Sequence, residues 1–461
     1  MINLNNVKSI HFIGISGISM RGLAKYTKEK YPHISITGNT DLKNFYINDL
    51  IPINIPIENF INKVEICVYT ASINENNNEL IKIKEFNKIN NNKIIILNRV
   101  EYLNLITNDK ERICVLGAHG KTSITTYLSQ MLDTLHPTTF VGAFIDKECN
   151  TYKTYHDNNN QFYIIENDES QPTFINLHSE YTIIPNISHD HLENYYNSFD
   201  EYLATFEKYL YLVKDKNIAI IYNKNINNYK KELDNDFYKI LDNLILKSGL
   251  KNISYGYENS HVNIKIIENK DNPMILKWQL VTEHKDLLIL NNKIFNIEMI
   301  GEWNIYNITS AIIMATLKGI CVSNNLKLFK PARRLEVIYK TNNKIIFDDY
   351  GVHPYEIKNV LNNLKKIYNN ITIIWEPHRL TRLKQFQKEF KEIFKHENMY
   401  FVRLYEVTHK KNDDFLEYID YGNYLKKDTL LKNILLKNDN SVILLLTAGD
   451  LSHRVKKLLG K

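Results

Sequence analysis

The sequence predicts an α/β chain of three domains, on three observations. Short apolar strands, each followed by a turn and an amphipathic helix, recur from end to end. A glycine loop carrying Lys-Thr joins one such strand to its helix near residue 120. In the last third, polar residues gather just after three separate strands. A length of 461 residues suits about three domains of ~150 residues each. The blocks expected are 1–110, 111–327 and 328–461.

The first block opens with Ser9-Ile-His-Phe-Ile-Gly-Ile-Ser-Gly-Ile-Ser-Met20, a strand running into a glycine turn and a helix. A second strand, 34–37, ends at Gly38-Asn39-Thr40-Asp41. Such a Rossmann-like unit places a diphosphate on the turn, at Gly14 and Gly17, and an acidic residue, here Asp41, on a ribose hydroxyl. An ordinary βα turn explains the same residues, since only two glycines are present. Strands over 66–70 and 93–97 complete a small parallel sheet.

The second block starts at the run Ile113-Cys-Val-Leu-Gly-Ala-His-Gly-Lys-Thr122. After the strand, Ile124, Tyr127, Leu128, Met131, Leu132 and Leu135 share one helical stripe. In such a loop, backbone N–H groups and the positive helix end face a phosphate. Lys121 adds a point charge and Thr122 a hydroxyl for Mg²⁺. The spacing is GxxGKT, with Val115 where the common P-loop has its first glycine. Residues Gly117, Ala118, His119, Gly120, Lys121, Thr122 and Ser123 are the nucleotide-binding candidates. Strands over 162–165 and 181–184 end at two further polar clusters, Glu166-Asn-Asp-Glu-Ser170 and Asn186-Ile-Ser-His-Asp-His191. Thr122 and Glu166 suit one Mg²⁺ between phosphates, and His191 a second near the acceptor. A surface turn is the plainer account of His-Asp-His, and zinc is disfavoured because no cysteines accompany the histidines. A β-rich portion over 262–300 and a helix over 304–317 follow.

The third block repeats strand–loop–helix three times, with strands over 344–347, 371–375 and 442–446. Asp348, Asp349, Tyr350 and His353 follow one strand. Glu376, His378 and Arg379 follow another, and Thr447, Gly449 and Asp450 the third. Open parallel sheets bind ligands beyond the carboxyl ends of their strands, so a site is expected there. Solvated loop residues account for any one cluster, but three strands share the habit.

Composition narrows the class. Hydrophobic residues make up 44% and charged residues 24%, the ordinary soluble range. The net charge of +6 comes from scattered lysines, so no nucleic-acid partner is expected. Cys67, Cys114, Cys149 and Cys321 show no metal spacing and read as reduced thiols. No apolar run approaches a membrane span and no leader is evident, so a cytoplasmic protein without membrane partner is expected.

In order, these motifs resemble the Mur ligase family. HFIGISGISMRGLA is similar to its opening HFIGIGGxGMSGLA, and TASINENNNEL (70–80) to its S-S-A-I…N-P-E-L stretch. AHGKTSIT, IENDES and PNISHDHLENYYNSFDEY are similar to G-T-H-G-K-T-T-T, V-E-A-D-E-S and T-N-I-x-x-D-H-L-D-x-Y-x-S-F-x-x-L. GEWNIYN (301–307), RRLE (333–336), DDYGVHPYE (348–356) and EPHR (376–379) resemble G-x-H-N-x-x-N, R-R-F-E, D-D-Y-A-H-H-P-T-E and Q-P-H-R.

The resemblance implies a Rossmann-like UDP-binding domain, a central P-loop-type ATPase domain and a C-terminal Rossmann-like α/β domain. It implies ATP and Mg²⁺ as cofactors, and UDP-N-acetylmuramate and L-alanine as substrates joined through an acyl phosphate. A monomer or weak homodimer is expected. By the family pattern Lys121, His191 and Arg379 are catalytic and Thr122, Glu166 and His191 hold metal. Asn307 meets adenine, and Arg334 and Asp349 reach the nucleotide. Gly14, Gly17 and Asp41 hold the UDP moiety, with His353, His378 and Arg379 at the amino-acid end. Ser16, Ser19, Trp303, Val352 and Glu376 depart from the pattern. They leave open a relative that joins a whole tripeptide, another amide ligase such as a folylpolyglutamate synthetase, or a non-catalytic nucleotide-binding relic.

Overall fold

The computed structural model describes residues 2–40, 51–70, 73, 76–91, 93–143, 151–155, 161–215, 217–224, 234–269, 272–405, 413–437 and 441–460. By contacts it divides into two compact units. One comprises 1–265, 279–294 and 306–324; the other comprises 266–278, 295–305 and 325–461.

The first sheet is parallel, in the order β2-β1-β3-β4. Its strands are β1 (Ser9–Ile13), β2 (Ser35–Asn39), β3 (Ile66–Tyr69) and β4 (Ile95–Asn98). Every residue of β1 is buried, the polar Ser9 and His11 included, as in a strand covered on both faces. Helices α1 (Ile18–Lys30), α2 (Asn78–Ile89) and α3 (Arg99–Ile106) follow β1, β3 and β4. Asn98 caps α3 in a reciprocal box with Glu101. Asp41 lies outside the described residues.

The second sheet begins at β5 (Glu111–Leu116), followed by α4 (Lys121–Met131), β6 (Thr138–Phe140), β7 (Tyr152–Lys153), β8 (Phe162–Asn167) and β9 (Tyr181–Ile184). Then come α5 (Phe199–Val213), β10 (Ala219–Asn223), α6 (Asp234–Ser248), β11 (Asn252–Gly256), β12 (Val262–Ile266), β13 (Ile275–Thr282), β14 (Ile294–Glu298) and α7 (Trp303–Leu317). The order is β14-β13-β12-β11-β10-β9-β5-β8-β6-β7. Strand β5 therefore sits between β8 and β9, and the chain moves to opposite sides of it, so a crevice opens at its carboxyl end. The stripe expected to run to Leu135 breaks earlier. Helix α4 stops at Met131 and a 3₁₀ turn covers Asp133–Leu135.

The third sheet has the order β15-β16-β20-β17-β18-β19. Its elements are β15 (Glu336–Lys340), β16 (Lys344–Asp349), α8 (Pro354–Lys365), β17 (Ile371–Trp375), α9 (Leu380–Gln385), α10 (Gln387–Phe394), β18 (Asn398–Phe401), β19 (Asn423–Tyr424), α11 (Asp428–Leu436), β20 (Ser441–Leu446) and α12 (Leu451–Leu458). Only β15 runs antiparallel among the described pairings of this sheet. Phe347, Ile373, Trp375 and Leu446 form its core with Leu361 and Phe390.

Among the described non-glycine residues in left-handed backbone, asparagine is the commonest, at five of eleven. Asn54, Asn91, Asn197, Asn259 and Asn292 all have φ between 52° and 60°. The chain has 15 glycines in 461 residues, under half the usual share of about 7%.

Candidate active site

Three loops meet at the carboxyl ends of β5, β8 and β9. Gly117 has φ +141°, and a Cβ there would lie 2.6 Å from the Asn186 carbonyl. Gly120 has φ +87°, and its Cβ would lie 2.7 Å from Asn307 Oδ1. Both positions therefore demand glycine on two counts, conformation and space. Asn186 clamps the loop: its Oδ1 accepts from the His119 backbone N–H at 2.8 Å and its amide donates to the His119 carbonyl at 3.0 Å.

Lys121 opens α4 and turns back over the loop. Its Nζ lies 2.6 Å from Glu169 and 3.8 Å from Asp168, and donates to the Gly117 carbonyl at 2.8 Å. Burial opposes the charge, but Glu169, Asp168 and Glu166 outweigh it and hold the ammonium above its ordinary value. Burial pushes Glu169 up, with Lys121 opposing, whereas Asp168 is held low by Lys121, Arg99 and His191 against its burial. Thr122 Oγ1 donates to Glu166 Oε1 at 2.8 Å, and Glu166 Oε2 accepts from Gly142 N–H at 2.6 Å. Ser123 is buried in α4.

His191 stands in left-handed conformation, φ 60°, with Nε2 3.4 Å from Asp190 and Nδ1 3.7 Å from Glu193. It lies near enough to Asp168 and Glu169 to help lower both, after Lys121. Among the described residues no three His, Cys, Asp or Glu side chains converge on one point as a metal cage. The donors present are a hydroxyl and a carboxylate, hard oxygens that suit Mg²⁺ completed by phosphate and water.

In the first sheet, Gly14 has φ +78° and Gly17 is the N-cap of α1, so the turn presents backbone to the helix end. Ser16, one of the departures, accepts a 2.6 Å hydrogen bond from Thr40. Trp303 packs on Gly301, whose φ is +102°; any Cβ there would meet the indole at 2.3 Å.

The third sheet gathers its own set at the carboxyl ends of β16, β20 and β17. Asp349 accepts from Leu335 N–H and Gly351 N–H, each at 2.8 Å, and burial raises its carboxyl to about 6 against Arg334. Arg334 lies over the Tyr350 ring and 3.9 Å from Glu356. Arg333 donates to the Thr447 and Ala448 carbonyls and lies 3.6 Å from Asp348. His353 caps α8, its Nδ1 accepting from Tyr355 N–H at 3.3 Å. His378 lies 3.1 Å from Arg382 through Nδ1 and stacks on Tyr405; Arg379, φ 61°, heads α9. Sequence reading passed over Glu169, Asn186 and Arg333 as site residues. Asp168-Glu169 and Asn186 did stand in strand-end clusters, which was the available signal.

No helix of the described residues is long and apolar enough to cross a membrane. The family model of the Mur ligase middle domain matches residues 115–315. A UDP-N-acetylmuramate–L-alanine ligase of Helicobacter pylori (strain HPAG1) is 30% identical, covering 98% of this chain and 97% of its own. That of Clostridium beijerinckii is also 30% identical, covering 92% and 88%. The crystal structure of UDP-N-acetylmuramate-alanine ligase from Thermotoga maritima shares the fold, with a TM-score of 0.72 at 21% identity over 98% of both chains. Related at 30% identity over nearly all of its residues, the chain belongs to the Mur ligase family.

Proposed function

We infer that this chain is an ATP-dependent ligase that joins L-alanine to the carboxylate of UDP-N-acetylmuramate, in peptidoglycan precursor synthesis. The observation that carries the chemistry is the cradle in which Lys121, Thr122 and Glu166 meet beneath a glycine loop at the switch point of the second sheet. The γ-phosphoryl group of ATP passes to the muramyl carboxylate, giving an acyl phosphate. The alanine amine then attacks that carbonyl, loses a proton, and phosphate departs. Such transfer rests on positioning and charge neutralisation.

Lys121 exchanges its carboxylate partners for phosphate oxygens. Thr122 and Glu166 would hold one Mg²⁺ and His191 would help hold a second near the acceptor, where each ion would supply further charge neutralisation. Asn307, next to Gly120, serves adenine, and Arg334 and Asp349 serve the nucleotide from the third block. Gly14, Gly17 and Asp41 serve UDP. His353, His378 and Arg379 serve the alanine end, where a guanidinium suits a carboxylate. We take the domains as 1–110, 111–327 and 328–461, in a cytoplasmic monomer or weak homodimer.

Phosphate release with ATP, Mg²⁺, UDP-N-acetylmuramate and a panel of amines tests this reading. Release should require both the sugar nucleotide and L-alanine, and should vanish in Lys121→Ala. Equal release without the sugar nucleotide overturns it, and a preference for a tripeptide over L-alanine reassigns the amine.

A further inference from the structure

A second group of buried polar atoms lies under the carboxyl edge of the third sheet. Glu376 directly follows β17 and is fully buried. Its Oε2 accepts from the Thr447 hydroxyl and, at 3.4 Å, from Leu451 N–H. Its Oε1 has no hydrogen-bond partner among the described residues, and neither has Asp450 Oδ1. Asp450 directly precedes Leu451, whose N–H bonds Glu376, and its carboxylate pushes the Glu376 carboxyl up. Glu376 is buried whereas the Asp450 side chain is 45% exposed, so a bare charge on Glu376 beside the Asp450 carboxylate is repelled, and a proton on Glu376 aimed at Asp450 removes that repulsion. That proton belongs on Glu376. Asp450 has Arg403 at 2.7 Å and Arg454 at 3.8 Å, whereas Glu376 pairs with no cation among the described residues.

The turn above it has no slack. A Cβ on Gly449 would lie 2.4 Å from Glu376 Oε2 and 2.5 Å from the Tyr405 ring. Thr447 Oγ1 also accepts from Gly449 N–H at 3.0 Å, and Thr447 N–H donates to the Asp349 carbonyl at 3.0 Å. Arg333 grips the same turn through the Thr447 and Ala448 carbonyls. On its other side Glu376 leads through Pro377 into His378 and Arg379. One carboxyl group thus joins the Thr447–Asp450 turn, which Arg333 and the Asp349 carbonyl also hold, to the loop that carries His378 and Arg379.

We propose that Glu376 is a positioning residue for the ligation, and that the proton it shares with Asp450 ties the Thr447–Asp450 turn to the end of β17. Burial pushes the Glu376 carboxyl up, the Thr447 bond opposes, and Asp450 pushes it further up. The other charged or titratable groups around the pair are Tyr405, Arg333, Arg403 and Arg454. When the proton leaves, Glu376 and Asp450 repel, the turn lifts, and Arg333 and Asp349 lose their register with it.

This proposal rests on the ligase reading, so one arm of its test is independent of activity. Infrared difference spectra at neutral pH, full-length protein minus Glu376→Gln, should show a protonated-carboxyl band, and its absence overturns the proposal whatever the ligase assay gives. Steady-state kinetics across pH supply the other arm. Glu376→Ala should lower kcat by on the order of 10- to 100-fold, with KM for UDP-N-acetylmuramate unchanged. Glu376→Gln, a neutral isostere, should recover most of that kcat and lose the alkaline fall seen with the native residue. A glutamine variant as slow as the alanine variant, or one that keeps the same alkaline fall, overturns the positioning role. A native chain without ligase activity defeats the functional reading, and the infrared band still decides the proton.

Discussion

Replacing Lys121 by Met should unsettle the fold as well as the chemistry, and in a pH-dependent way. The ammonium serves Glu169 at 2.6 Å, two loop carbonyls at 2.8 and 3.3 Å, and Asp168 at 3.8 Å. The Glu169 side chain is only 2% exposed, so Lys121→Met leaves a buried carboxylate without its cation. Breaking such a pair costs about 3–5 kcal/mol. For a unit of this size that lowers the melting transition by roughly 6–15 °C. Without Lys121, Glu169 avoids an unpaired charge by taking a proton. Its folded value, already raised by burial, then rises further above the unfolded one. A raised folded pKa means stability is kept at low pH and lost as pH climbs through that value. The deficit of Lys121→Met should therefore be small at pH 5 and full at pH 8. Lys121→Met/Glu169→Gln should recover most of it, because the amide carries no charge. Differential scanning calorimetry at both pH values measures this. A deficit equal at pH 5 and pH 8, or no recovery in the double variant, would refute the claim that the ion pair carries the energy.

Other outcomes follow from the same geometry. Gly120→Ala forces a side chain into φ +87° and against Asn307, so calorimetric affinity for an ATP analogue should fall about tenfold, the equivalent of ~1.4 kcal/mol. Thr122→Val removes the hydroxyl beside Glu166, and the Mg²⁺ concentration for half-maximal phosphate release should rise about tenfold, with unchanged melting. Asp349, raised to about 6 by burial, should titrate near that value by carboxyl NMR. Its folded value lies above the unfolded one, so the native chain should lose on the order of 3 kcal/mol relative to Asp349→Asn as pH rises from about 4 to 6.

Much of the site was legible because parallel strands read as apolar runs and ligands gather at their carboxyl ends. The loop Gly117–Thr122, the cluster at Glu166 and the three strand ends of the last block could all be placed that way. The pairing of Lys121 with Glu169 was not legible, since it joins loops 48 positions apart and no local pattern encodes it. Arg333 was hidden for the same reason, its acceptors lying beyond residue 446. Strand β15 escaped notice because it is an edge strand with Val337 exposed, so its apolar residues do not mark a core face. Strands β18 and β19 are short, and their pairing depends on partners distant in the chain.

The left-handed asparagines at positions 54, 91, 197, 259 and 292 do not all offer the same thermal headroom. Each keeps a side chain where the backbone favours none, a penalty that asparagine tolerates better than other residues but does not escape. At Asn54 and Asn292 the side chain also accepts hydrogen bonds, from Thr40 N–H at 2.8 Å and Gln279 at 3.4 Å, which glycine would forfeit. At Asn91, Asn197 and Asn259, glycine trades the backbone penalty against a more entropic unfolded chain, for a net gain of a few tenths of a kcal/mol at best and without altering a residue of the phosphate cradle.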